Sequence, residues 1–178
     1  MAGMKMSNSS WKKQLSEKLK SHVRRVDQRI AIVGIGAELN GDDAVGLLTA
    51  RKLKSVFAQQ ENLLVLEGGT LPESTSGPLR RFSPGLVIFI DAADQGDPPG
   101  RISFIDVKSI GGSSFSTHSM PLSLMIEFLA EELNCGMLLI GVQPEHIDFG
   151  LPLSQSGRRA VNRLVKALKE QFLNTRPE

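Results

Sequence analysis

The chain has 178 residues, 40% of them hydrophobic and 22% charged, with a single cysteine, Cys135. That length fits one domain with a full core, and no apolar run approaches the roughly 20 residues of a membrane span. One cysteine excludes an internal disulfide and any cysteine-built zinc or iron–sulfur cage within the chain. No continuous apolar stretch of signal-peptide type opens the sequence, so a cytoplasmic location with no stable membrane insertion is expected.

The net charge of +2 is unevenly spread. Eight basic side chains against Glu17 and Asp27 give residues 1–29 a charge of +6 and leave −4 for the rest. The folded part is therefore mildly acidic, which argues against a nucleic-acid partner. Residues 1–28 read as a basic N-terminal extension, partly helical, ahead of a domain over 29–178. Between Ser10 and Val26, the apolar Trp11, Leu15, Leu19 and Val23 recur every four residues, the stripe of a helix. A stripe this narrow fits a helix packed on the domain better than one lying on a membrane or partner.

Strands and helices then alternate. Arg29–Gly34 is a buried strand by its β-branched run, and Asp42–Phe57 a helix with Val45, Leu48 and Leu53 facing inward. Leu63–Glu67 is a second strand, Pro78–Phe82 a short helix and Leu86–Asp91 a third strand. After the turn-rich DQGDPPG comes a fourth strand, Arg101–Val107. Pro121–Leu133 is a helix with Pro121 in its first turn. Met137–Val142 is a fifth strand and Ser154–Leu173 the last helix. Near-continuous apolar strands interleaved with helices predict a single α/β domain with a twisted, mostly parallel sheet of about five strands, covered by helices on both faces.

In such a sheet, ligands sit beyond the C-terminal ends of the strands, where strand order reverses. The polar residues that follow each strand are therefore the candidates. Gly34–Gly46 follows the first strand, with Gly36 suited to a tight turn and Asp42 and Asp43 at the next helix start. One of the two aspartates is expected to cap that helix. A dinucleotide fingerprint fails, because Leu39 stands where the third glycine belongs and the acidic pair would repel a pyrophosphate. Asp91 ends the third strand, and a carboxylate buried there needs a hydrogen-bond donor or a cation. His118 precedes the Pro121 helix, between the possible caps Thr117 and Ser119. His146 follows the fifth strand and ranks behind His118; His22 is expected to face solvent. Asp43, Asp91 and His118 together make an O/O/N ligand set suited to Ni, Mn, Fe or Zn, with coordination positions left open. No G-x-S-x-G is present, and Cys135 lacks a visible histidine partner.

The strings GIGAELNGDDAVG, LEGGTLPES, IDAADQGDPPG, STHSMPL and GVQP (Gly141–Pro144) occur in an order that resembles the nickel–iron hydrogenase maturation endopeptidases. The resemblance runs from about residue 29 to about residue 170. THSMPL and GVQP look most like the branch serving formate-hydrogenlyase-type and related membrane-bound hydrogenases. The resemblance implies a peptidase that trims the C-terminal extension of a nickel–iron hydrogenase large-subunit precursor. It implies catalytic and nickel-contacting roles for Asp43, Asp91 and His118, with substrate contacts at Gly36, Ala37, Gly68, Gly69 and Gln143. The nickel would arrive in the precursor and would not reside in the peptidase. Ala37 stands where the family usually has Asn, and Glu67 where it often has Asp. A non-catalytic nickel- or large-subunit-binding accessory protein on the same fold is the second reading, and a metallohydrolase with its own ion the third.

Overall fold

The computed structural model describes residues 10–22, 28–106 and 122–173. Five strands form one sheet: β1 (Ile30–Ile35), β2 (Leu63–Gly69), β3 (Leu86–Ala92), β4 (Ile102–Ile105) and β5 (Gly136–Val142). The order across the sheet is β2-β1-β3-β5-β4. All pairings are parallel except β4 with β5, so an antiparallel edge strand closes one side. The apolar runs explain the centre: β1 and β3 are buried at every residue, as strands covered on both faces must be.

The helices are α1 (Ser10–His22), α2 (Val45–Val56), α3 (Ser76–Phe82), α4 (Leu122–Leu133) and α5 (Gln155–Leu173). One face of the sheet carries a core with α1, α2 and α5, built on Ile32, Ile88, Ile140, Leu53 and Leu164. The other carries a core with α3 and α4, built on Val33, Phe89, Leu79 and Leu129. The α/β class, the number of strands and the helical cover match the expectation from sequence. Among the described residues, no helix is long and apolar enough to cross a membrane.

Trp11, Leu15 and Leu19 of α1 are 4%, 0% and 6% exposed and belong to the first core. The N-terminal helix thus packs on the domain, and no separate core exists before residue 28 among the described residues. Val23 lies outside them. His22 is half-buried at the end of α1, with Nδ1 2.8 Å from the Lys18 carbonyl, so it does not simply face solvent.

Two boundaries differ from the sequence reading. Gly41–Ala44 is a 3-10 turn, and α2 begins at Val45. Likewise Pro72–Thr75 is a 3-10 turn that leads into α3 at Ser76, two residues earlier in the chain than Pro78.

The start of α2 lies directly on the sheet. A Cβ at Gly46 would stand 2.1 Å from the Ile90 carbonyl oxygen and 2.3 Å from that of Ile35. Both obstacles are strand backbone and neither can yield. This approach holds the turn before α2 against the ends of β1 and β3. Gly46→Ala is therefore expected to destabilise the fold by about 3 kcal/mol or more. Urea denaturation measures it; a loss below 1 kcal/mol would show that the helix can lift without cost.

Candidate functional site

The chain runs from β1 through α2 to β2 on one side, then crosses β1 to β3 on the other. Strand order reverses between β1 and β3, and their C-terminal ends form the crevice where such folds bind ligands. Asp43 stands in the turn after β1, and Asp91 is the penultimate residue of β3. Each is 3% exposed.

Local backbone places Asp43. Gly36 has φ +130°, and a Cβ there would sit 1.7 Å from the Asp43 carbonyl oxygen. Only glycine lets the chain fold back this closely. Gly36 N–H donates to the Gly69 carbonyl at 3.0 Å, joining the turn to the end of β2. The Ala37 N–H donates to Asp43 Oδ2 at 2.7 Å. On β2, Glu67 pairs with Gly34 and Gly69 with Ile35, which leaves Gly68 as a bulge. Gly36, Ala37, Gly68 and Gly69 thus border one turn.

Among the described residues Asp91 accepts one hydrogen bond, from Ala92 N–H to Oδ1 at 2.8 Å. Burial pushes its carboxyl well above the usual carboxylate range, and the charge of the neighbouring Asp43 adds in the same direction. Among the described residues, no donor reaches the second oxygen of either carboxylate. A buried acidic pair with free oxygens favours a proton or a cation.

Neither aspartate caps the helix, contrary to the sequence expectation. Asp42, fully buried, turns away from α2. Its carboxylate accepts from Glu145 N–H at 2.8 Å, Ser154 N–H at 2.7 Å and Ser154 Oγ–H at 2.7 Å. The physical reason is the 3-10 turn: it sets both aspartates ahead of the helix, where backbone donors outside the helix reach them.

His118 lies outside the described residues, as do Thr117, Ser119 and Pro121. No cluster of three metal-ligating side chains occurs among the described residues. Gln143 is buried, and its amide is engaged with the loop after β3. Its Oε1 accepts from Gln95 and Asp97 N–H at 2.7 and 3.2 Å, and its Nε2 donates to Asp94 Oδ1 at 3.0 Å. That amide, with Gly96 N–H, holds the Asp94 carboxyl below its usual range. His146 is occupied in its own loop, with Nε2 3.2 Å from the Pro152 carbonyl. Glu67 forms a rim ion pair with Arg51 at 3.0 Å, and Arg51 also grips Glu38 at 2.6 Å. Burial pushes the Cys135 thiol up to about 11, which removes a thiolate nucleophile at neutral pH.

The role of Asp42 escaped the sequence reading because its donors lie 103 and 112 residues away.

Fold and site together define an α/β protein with a carboxylate-built centre at the sheet's switch point. A profile of the hydrogenase maturation protease family HycI matches residues 47–171. A candidate hydrogenase maturation protease of Methanocaldococcus jannaschii is 34% identical over 169 residues, covering 89% of this chain and 96% of that protein. The hydrogenase 3 maturation protease of Escherichia coli K12 is 32% identical, covering 76% and 85% respectively. The crystal structure of a NiFe hydrogenase maturation protease HycI from Thermococcus kodakarensis superposes with a TM-score of 0.81 at 31% identity, over 90% of this chain and 99% of that one. The chain belongs to the hydrogenase maturation protease family and is a peptidase of hydrogenase maturation.

Two outcomes are expected of the aspartates. Asp42→Ala strands three buried donors and should cost about 3 kcal/mol, read by chemical denaturation; an unperturbed midpoint would mean that the loop has other anchors. Asp91 has a raised folded-state pKa, so its ionisation penalty is absent below the unfolded value of about 3.9 and grows as pH rises through the folded value. Asp91→Asn removes that penalty. It should raise the melting temperature at pH 7 by about 2–4 °C per kcal/mol relieved, the gain vanishing near pH 4. Melts across pH decide it, and a difference independent of pH contradicts the assignment.

Proposed function

We propose that the chain removes the C-terminal extension of a nickel–iron hydrogenase large-subunit precursor after nickel has been inserted. The substrate's own nickel is the recognition element. The observation that carries this reading is the buried pair Asp43 and Asp91, close enough at the switch point for their charges to interact and each given a single backbone donor among the described residues. A cation delivered by the substrate satisfies both carboxylates at once. His118 supplies the third, softer ligand expected from the resemblance. The printed names of the relatives, maturation proteases of hydrogenases, supply the reaction class.

The tail lies along the turn bordered by Gly36, Ala37, Gly68 and Gly69. Side chains are small there, and nothing stands within 4 Å of the Gly69 Cβ position. Gln143 acts indirectly by shaping the 94–97 loop beside Asp91. A water polarised at the substrate's nickel attacks the scissile carbonyl carbon. Its proton passes to a carboxylate of the pair and then to the leaving amine as the C–N bond breaks. Neither a serine nor a thiolate is required.

The reaction is read as a mass shift of the large subunit. Asp43→Asn, Asp91→Asn and His118→Ala should each slow cleavage of nickel-loaded precursor about 100-fold or more. Wild-type rates in all three sink the site assignment. Nickel-free precursor should stay intact; its equal cleavage would remove nickel from the recognition step.

A further inference from the structure

Among the described residues, seven large apolar side chains are exposed; two, Leu124 and Phe128, lie on α4, and the other five lie on loops at one edge of the sheet. Leu39, Ile147, Phe149 and Leu151 are 63%, 37%, 82% and 44% exposed. All four lie on the two loops that leave the C-terminal ends of β1 and β5. Leu71, 55% exposed, follows β2 on the same edge of the sheet.

The two loops are laced together. Gly150 N–H donates to the Leu39 carbonyl at 2.8 Å, Gly41 N–H to that of Leu151 at 3.1 Å and Asp42 N–H to that of His146 at 3.0 Å. The Asp42 carboxylate ties both ends of the second loop, through Glu145 and Ser154. The first loop also carries Ala37, whose N–H holds Asp43. The apolar side chains are thus presented on a fixed backbone that is continuous with the carboxylate centre. A cluster of this kind, ordered yet exposed, is the mark of an interaction surface. Glu145 and Asp148 add negative charge to it, and both are exposed.

We infer that Leu39, Ile147, Phe149 and Leu151 form the dock for the body of the substrate protein, and that they receive a folded surface with apolar side chains flanked by basic ones. This deepens the proposed function and rests on it for the identity of the substrate. Continuity with Asp43 argues for this occupant: a macromolecule whose tail enters the crevice must lie over the loops that border it. Charge argues the same way, because an acidic rim excludes acidic partners and steers basic ones. The collar fixes affinity; the carboxylates do the chemistry.

The test uses the full chain with Leu39→Ser and Phe149→Ser combined, since both side chains are exposed and the fold should keep its melting temperature. The probes are nickel-loaded and nickel-free large-subunit precursors of a nickel–iron hydrogenase from the same organism. Binding is measured by calorimetry and cleavage by mass shift. The expected result is a rise of about tenfold or more in both Kd and KM, with kcat within about twofold of wild type. Asp148→Lys should weaken binding severalfold at low salt and less at high salt. An unchanged Kd in the folded double variant overturns the dock. So does a fall in kcat alone, or a wild-type dimer that the double substitution splits while Kd for precursor stays the same. If wild type binds precursor and fails to cut it, the peptidase reading falls and the Kd comparison still decides the dock. No precursor binding by wild type overturns both.

Discussion

Two carboxylates of like charge, buried a strand apart, set the terms for the rest of the structure. Asp43 and Asp91 repel each other where little water screens them. Nothing in the pair favours its own assembly, so the fold must hold it together. It does so from both sides. Asp91 rides on a strand buried at all seven positions between β1 and β5. Asp43 sits in a turn pressed onto the strand ends by the Gly46 contact and folded tightly by Gly36. The two apolar cores supply the stability that this centre costs. Perturbed groups held this way are characteristic of functional sites.

The adjacent aspartates show how hydrogen-bond supply sorts structure from chemistry. Asp42 receives three donors and is satisfied as an anion in full burial. Three of its roughly four acceptor sites are taken, which leaves little for a ligand. Among the described residues its neighbour Asp43 receives one, from Ala37, and Asp91 receives one, from Ala92. Residue type and burial are the same in all three cases. The number of donors separates a clamp from a centre.

The sheet was legible because β-branched runs such as IAIVGI and LVIFIDA leave no other economical burial. The helices were legible where apolar residues repeat, as in α1 with Trp11, Leu15 and Leu19. Their starts were not, because the 3-10 turns at Gly41–Ala44 and Pro72–Thr75 carry helix-like composition without helical hydrogen bonding to the end. Asp43 and Asp91 could be placed from topology alone: one lies in the turn after a strand and the other at a strand's end, and the switch point does the rest. Asp42 could not, since its partners are set by loop packing and not by spacing. The partners of the Gln143 amide, which organises the 94–97 loop, likewise have no signature in local sequence. Phe149 carried no signal either, because a single aromatic in a loop has no periodicity to reveal which way it faces.

Those loops join two tasks that are often separate. The hydrogen bonds that lace Leu39 to Gly150 and Gly41 to Leu151 belong to the same turn that carries Ala37 and Asp43. A shift in the exposed collar therefore moves the backbone that positions the carboxylate, and the reverse also holds. For a peptide bond to be cut once, at one place, a displacement of about 1 Å is enough to lose the reactive geometry. On the proposed function, a rigid link between the surface that would meet the folded substrate and the centre that would meet its tail removes that freedom. Under the proposed function, fidelity would then come from geometry shared along one stretch of backbone, residues 36–43, more than from reading the sequence of the tail.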